Sequence, residues 1–185
     1  ALDVPMYFVK RGDSYIDVAG SSFRAFFEGR NNSLPGERPT LSDWANHLST
    51  IFPEVRLKRY LEMRGADGVP WGRLPALPAF WAGLLYDDTS LDAAWDIVKD
   101  WNAHERQALR DDVPRLGFKA RIRDRYLFEI AKQCIALSHS GLRRRGRIDR
   151  VGRDETRHLE PLDRIIDRGY SPAEEMLEKF HGPWQ

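Results

Sequence analysis

One cysteine, Cys134, stands among 185 residues. No internal disulfide can form, which excludes cystine-stapled secreted scaffolds and fits a reducing cytoplasm, the location expected from this reading. Long apolar runs are missing as well. No stretch reaches the roughly 18 apolar residues that a bilayer-spanning helix needs, so no membrane partner is expected. The opening ALDVPMYFVKRGD has no basic segment followed by an apolar stretch and a small-residue cleavage site, which argues against a secretory leader. It also lacks an initiator Met and starts in a strand-like run, which predicts a fragment of a longer chain. Charge of one sign is not in excess: 29 Lys and Arg face 28 Asp and Glu, a net +1, so global charge draws the chain to neither nucleic acid nor membrane. No G-x-G-x-x-G, G-x-x-x-x-G-K-[ST] or G-x-S-x-G occurs, which removes the dinucleotide, P-loop and nucleophile-elbow fingerprints. The histidines at 47, 104, 139, 158 and 181 are scattered, and none forms H-E-x-x-H or pairs with a cysteine at zinc spacing.

What is present reads as a folded chain. Six Trp imply buried aromatic packing. MYFVK and SYIDV around Arg11-Gly12-Asp13 predict a β-hairpin, and its RGDS string reads as turn chemistry rather than an adhesion signal. Ser21-Ser22 precedes a short helix that stops at Gly29. Thr40 with Asp43 offers a near-relative of the capping box to a helix carrying Trp44, Leu48 and Ile51 on one face and ending at Pro53. Residues 54–64 alternate with period two and predict one strand. Beyond Gly68 the chain reads helical: an apolar helix over LPAFWAGLLYD, one capped by Thr89 or Ser90, one capped by Asn102 and closed by Pro114, a long one opened by Asp124, one kinked near Pro161, and a last one opened by Ser171-Pro172-x-Glu174. Strands first and helices last predict an α+β fold, strand-rich over 1–70 and helical over 71–185.

The strand at 54–64 is the one chemically pointed segment. Arg56, Lys58, Tyr60, Glu62 and Arg64 fall on one face; Val55, Leu57, Leu61 and Met63 fall on the other, with Arg59 out of place among them. Glu62 and Arg64 would lie about 6.8 Å apart on the same side. A carboxylate there could hold Mg²⁺ while the guanidinium fork takes a phosphate oxygen. From the spacing alone, a solvated sheet face with cross-strand ion pairs is the plainer reading. The stretch 141–157 carries seven Arg against Asp149, Asp154 and Glu155, but no aromatics interleave for base stacking. A solvated loop with Arg offsetting a helix C-terminus is the plainer reading, and no nucleic-acid partner is expected. His47 reads as a satisfied buried imidazole, with orientation of a strand residue or substrate as the alternative. Cys134 reads as a small core residue.

The wording of the residues goes further. VPMYFV, LPGERPTLSDWANHLSTIFPEVRLKRYLEMRGADGVPW and LPALPAFWAGLLYDD resemble, almost word for word, the second half of plant-type glutamate–cysteine ligases, a group that includes enzymes of many Gram-negative bacteria. SPAEEMLEKFHGPW is similar to the same family. The resemblance implies a partial glutamine synthetase-like antiparallel sheet followed by a helical C-terminal region. It implies an ATP- and Mg²⁺-dependent ligase in which glutamate is phosphorylated on its γ-carboxylate and the amine of cysteine displaces the phosphate, giving γ-glutamylcysteine, the first step of glutathione biosynthesis. It implies Glu62 as metal ligand and Arg64 at the transferring phosphate. Lys58 is placed with Arg64 as catalytic, Tyr60 and Tyr7 near the nucleotide, and Arg56 and Trp71 at the substrates. The expected partners are those substrates, a missing N-terminal half and a second copy in a homo-oligomer. Val18, Ser33 and Pro75 stand where plant members carry regulatory cysteines, so the thiol switch is expected to be absent. One carboxylate rarely suffices for Mg²⁺, so the 185 residues alone are expected to be inactive, with apolar sheet surface left to self-associate. Two alternatives remain: a non-catalytic or regulatory module of the same fold, and a ligase that joins glutamate to another amine.

Overall fold

The computed structural model describes residues 1–182. It forms two compact units, residues 1–67 and the chain from Gly68 onward. The architecture is α+β, with antiparallel strands in three separate two-stranded sheets and a helical C-terminal region.

In the first unit, β1 (Phe8–Arg11) and β2 (Ser14–Asp17) pair antiparallel through a two-residue turn. Gly12 sits there at φ +58°, a conformation that costs glycine nothing. Ser22 caps α1 (Phe23–Phe27) by accepting from the Ala25 N–H. Phe23 and Phe26 are buried with Met6, Val9, Val18 and Leu34, and Trp44 packs on this core. α2 (Leu41–Ser49) opens with a complete Thr40–Asp43 capping box. Of the expected face of Trp44, Leu48 and Ile51, only Trp44 is packed against this core. Asp43 and His47 are the buried residues, one turn apart, while Leu48 is exposed. Asp43 is neutralised by Arg11 at 2.8 Å. The His47 ring stacks on Phe23, and its Nε2 lies 2.9 Å from the Ala1 carbonyl oxygen, so it is a satisfied buried imidazole. With partners in place, the two polar side chains can be buried without an unsatisfied group.

The predicted single strand over 54–64 is a hairpin instead: β3 (Val55–Leu57) and β4 (Leu61–Met63), with Lys58, Arg59 and Tyr60 in the bend. Alternation continues across a tight reversal, so it did not mark the turn. Arg59 is out of pattern because it is a turn residue. Val55, Leu57 and Leu61 remain exposed.

The second unit is built on α3 (Ala76–Leu85), α4 (Asp88–Val98), α5 (Ala103–Leu116) and α6 (Leu127–Arg145). A turn of 3₁₀ helix, Trp71–Arg73, precedes α3. α3 and α6 meet backbone to backbone at Gly83 and Gly141. A Cβ built on Gly141 would lie 1.9 Å from the Gly83 carbonyl oxygen. Leu142 and Leu159 are fully buried there with Ala79, while Ile97, Ile122 and Ile130 form a second cluster against which Cys134 packs. Burial pushes the Cys134 thiol pKa up. Asp87, not Thr89 or Ser90, caps α4 through the Ser90 N–H. Pro114 lies inside α5 rather than beyond it. Asp124 does not open α6. It sits in the turn of a third hairpin, β5 (Arg121–Ile122) and β6 (Arg125–Tyr126), whose two-residue strands are too short to leave a period. α7 (Glu160–Arg168) follows a 3₁₀ segment, Glu155–Leu159, and carries Pro161 in its first turn without a kink; α8 (Pro172–Phe180) has the expected Ser171–Glu174 capping box. Pro183 and Trp184 lie outside the described residues. Among the described residues, no helix is long and apolar enough to cross a membrane.

Candidate active site

The β3–β4 register sets Arg56 directly opposite Glu62. Opposed residues of an antiparallel pair share a face, and here the Arg56 Nε donates to Glu62 Oε2 at 2.7 Å. Arg64 follows two residues after Glu62, and its backbone N–H donates to the Glu54 carbonyl at 2.7 Å, which extends the pairing by a step. The pleat therefore sends Glu62 and Arg64 to the same side. The Arg56 hydrogen bond is the chief cause that holds the Glu62 carboxyl below its usual range. Slight burial works against it, and the charges of Arg56, Arg64 and Lys58 add to it. Glu62 stays ionised, paired with Arg56 and favoured by the charges of Arg64 and Lys58.

Phe52, which no sequence signal singled out, supports this cluster. The Arg64 guanidinium carbon lies 5.1 Å from the Phe52 ring centroid. Arg64 Nη1 is buried with no hydrogen-bond partner among the described residues. A guanidinium with an unfilled donor can take an oxyanion. Phe52 also lines a cleft of about 310 Å³ with Tyr7, Met6, Gly20 and Thr50 among others. Phe52 thus joins the Tyr7 cleft to the Arg64 guanidinium. Had the reversal at 58–60 been legible, the register would have set Glu54 opposite Arg64 and Phe52 just beyond it.

The hairpin brings Arg56, Glu62 and Arg64 together. Lys58 and Tyr60 do not continue their row: they occupy the bend, where the Lys58 N–H donates to the Tyr60 carbonyl at 2.8 Å. Trp71 belongs to the second unit, where it begins the 3₁₀ turn with its ring exposed. Among the described residues, no group of three or more His, Cys, Asp or Glu converges as a metal site. Glu62 alone does not meet the near-octahedral oxygen shell of Mg²⁺, so these residues do not by themselves fit the ion.

Residues 1–185 match the family described as Glutamate-cysteine ligase family 2 (GCS2). The chain belongs to that glutamate–cysteine ligase family. It is 54% identical over 184 residues to the chloroplastic glutamate–cysteine ligase of Nicotiana tabacum, covering 100% of this chain and 34% of that protein. The chloroplastic enzyme of Arabidopsis thaliana is 53% identical over 184 residues, again 100% of this chain and 34% of the relative. Glutamate–cysteine ligase A of Oryza sativa subsp. indica is 54% identical over 185 residues, 100% of this chain and 36% of the relative. The chain thus spans about a third of the length of these ligases. The relatives are named chloroplastic, which overturns the expected cytoplasmic location. A low cysteine count separates a chain from disulfide-rich secreted proteins; it does not tell one interior compartment from another.

Proposed function

We propose that the chain is the C-terminal part of an ATP- and Mg²⁺-dependent glutamate–cysteine ligase, and that the β3–β4 hairpin is its contribution to the catalytic pocket. The observation that carries this reading is the Arg56–Glu62–Arg64 cluster, with an ionised carboxylate beside a guanidinium that keeps one buried donor unfilled. An unsatisfied buried donor costs about 1–3 kcal/mol, more when charged, and an incoming phosphate oxygen would remove that cost. Arg64 then binds the transferring phosphoryl group, and Lys58 adds positive charge at the bend. Tyr7 and Tyr60 flank the nucleotide, and Arg56 and Trp71 address the amino-acid substrates. Glu62 offers one carboxylate toward Mg²⁺, whose remaining oxygens come from outside these residues. Such an ion, when bound, offsets charge on phosphate oxygens.

On this reading the 185 residues alone form no γ-glutamylcysteine, because no full set of metal ligands converges among the described residues. The test is ATP-dependent γ-glutamylcysteine formation by the complete polypeptide encoded by its gene. Glu62→Gln is expected to lower kcat by at least about 100-fold. An unchanged rate would instead favour a non-catalytic module. Replacing cysteine by other amines in the same assay fixes the acceptor.

A further inference from the structure

We infer that Phe52 is a positioning residue for phosphoryl transfer: its ring holds the Arg64 guanidinium in a pose that keeps one donor free for a phosphate oxygen. The inference rests on the role proposed above for Arg64 and adds the residue that makes that role possible. The segment carrying Phe52 is anchored from the core outward. The His47 ring stacks on the buried Phe23, and the His47 carbonyl accepts from the Thr50 N–H at 3.0 Å and from the Thr50 hydroxyl at 2.8 Å. The Ile51 N–H donates to the Leu48 carbonyl at 3.4 Å. Pro53 follows Phe52 and keeps its backbone extended. On the facing strand the Arg64 N–H donates to the Glu54 carbonyl at 2.7 Å, which fixes the Arg64 backbone opposite a position two residues on from Phe52.

Burial does not account for this aromatic. Phe52 is 61% exposed and lies outside the buried cluster around Phe23 and Phe26. Its specific contact is with Arg64, whose guanidinium carbon lies 5.1 Å from the ring centroid, inside the range of about 6 Å over which a ring attracts a cation. That attraction holds the charge without consuming an N–H···O bond. The contrast with Arg56 is direct: its Nε is already spent on Glu62 at 2.7 Å, whereas Arg64 Nη1 is buried with no hydrogen-bond partner among the described residues. A free arginine side chain has many rotamers, and ordering it costs entropy at the moment a ligand binds. A ring that selects one rotamer beforehand removes that cost from the binding step. A carboxylate in the place of the ring would order Arg64 equally well but would fill the donors that the phosphate needs.

Phe52 also lines the Tyr7 cleft, so a second role as a cleft wall must be separated from positioning of Arg64. The test is ATP-dependent γ-glutamylcysteine formation by the complete polypeptide, with kcat/KM for ATP read in a double-mutant cycle of Phe52→Leu and Arg64→Met. Leu stays apolar and removes the π face. Phe52→Leu is expected to lower kcat/KM for ATP about 5- to 30-fold, the range of a partly desolvated cation–π contact, while KM for glutamate and the melting temperature stay at parent values. Phe52→Tyr keeps the ring and is expected to recover the parent rate. In the Arg64→Met background, Phe52→Leu is expected to cost nothing further. A parent-like Phe52→Leu beside a slow Arg64→Met would overturn the inference and leave the role of Arg64 standing. Losses that add in the double variant would make Phe52 a cleft wall acting on its own, and a Phe52→Tyr variant as slow as Phe52→Leu would show that the ring is not what matters; either overturns it. A parent-like Arg64→Met would remove both the proposed role of Arg64 and this inference.

Discussion

Gly141→Ala is expected to be among the most damaging single-methyl changes in the chain. In an isolated helix the change would gain about 1 kcal/mol. Here the new Cβ would meet the Gly83 carbonyl oxygen at 1.9 Å, with the Gly83 carbonyl carbon and Ser90 Oγ at 2.9 Å. The nearest obstacle is backbone, so no rotamer change relieves the contact. α3 and α6 would have to part by roughly 1.5 Å to reach ordinary contact distance. That movement weakens the Ser138 Oγ bond to the Phe80 carbonyl at 3.0 Å, which spans α3 and α6, and the methyl's contact with Ser90 Oγ disturbs the Ser90 Oγ bond to the Leu137 carbonyl at 2.9 Å, which spans α4 and α6. Each contributes about 1 kcal/mol, and overpacking adds about 1–3 kcal/mol. Less the propensity gain, the net loss is about 2–4 kcal/mol. Urea unfolding of the complete polypeptide, followed by far-ultraviolet circular dichroism, should show the midpoint falling at unchanged slope. Gly72→Ala, with nothing within 4 Å of the added methyl, should stay within about 0.5 kcal/mol of the parent. A Gly141→Ala protein as stable as the parent would refute the backbone contact between α3 and α6.

Other expectations follow from the same seam and from the caps. Ser90→Ala removes a buried hydroxyl that donates to Leu137 and accepts from Arg144, and should cost about 1–3 kcal/mol in the same assay, whereas a neutral result would mean the hydroxyl is dispensable. Asn102→Ala breaks a complete capping box with Glu105 and should cost about 1 kcal/mol. Glu105 is held at about 2, against 4.5 for a free carboxyl, chiefly by its hydrogen bond from Arg123 and then by the Asn102 N–H. A depressed folded-state pKa gives stability that is complete above about 4.5 and drains as pH falls toward 2. Melting temperature should therefore fall across that window less steeply in Glu105→Gln than in the parent.

Much of this fold was legible because local chemistry dictated it. The Gly12-Asp13 turn, the caps at Ser22, Thr40, Asn102 and Ser171, and the Gly169 stop each rest on hydrogen bonds made within a few residues. The misreadings have one physical source: features decided by tertiary packing. Lys58-Arg59-Tyr60 reverses the chain without Gly, Asn or Pro, so the alternation of 54–64 concealed a hairpin. Asp87 displaced Thr89 and Ser90 as the α4 cap because its carboxylate also receives Arg144, 57 residues away. In the candidate site, the proximity of Glu62 and Arg64 was written in the two-residue spacing. The Arg56 partnership needed the register, and the Phe52 support needed the fold. The identity of the family was carried by long matching segments rather than by any short motif.

Arg56 and Glu62 form an ion pair, so the central question is whether Glu62 serves only its neighbour. The measurement is a double-mutant cycle of Arg56→Met and Glu62→Gln in the complete polypeptide, reading both stability and the rate of γ-glutamylcysteine formation. A carboxylate that faces the reaction should give Glu62→Gln a large rate loss, and one that persists when Arg56 is already gone. A stability coupling between the two with no rate loss in either single variant or in the double would reduce the pair to a surface salt bridge and contradict the assignment of this hairpin to the catalytic pocket.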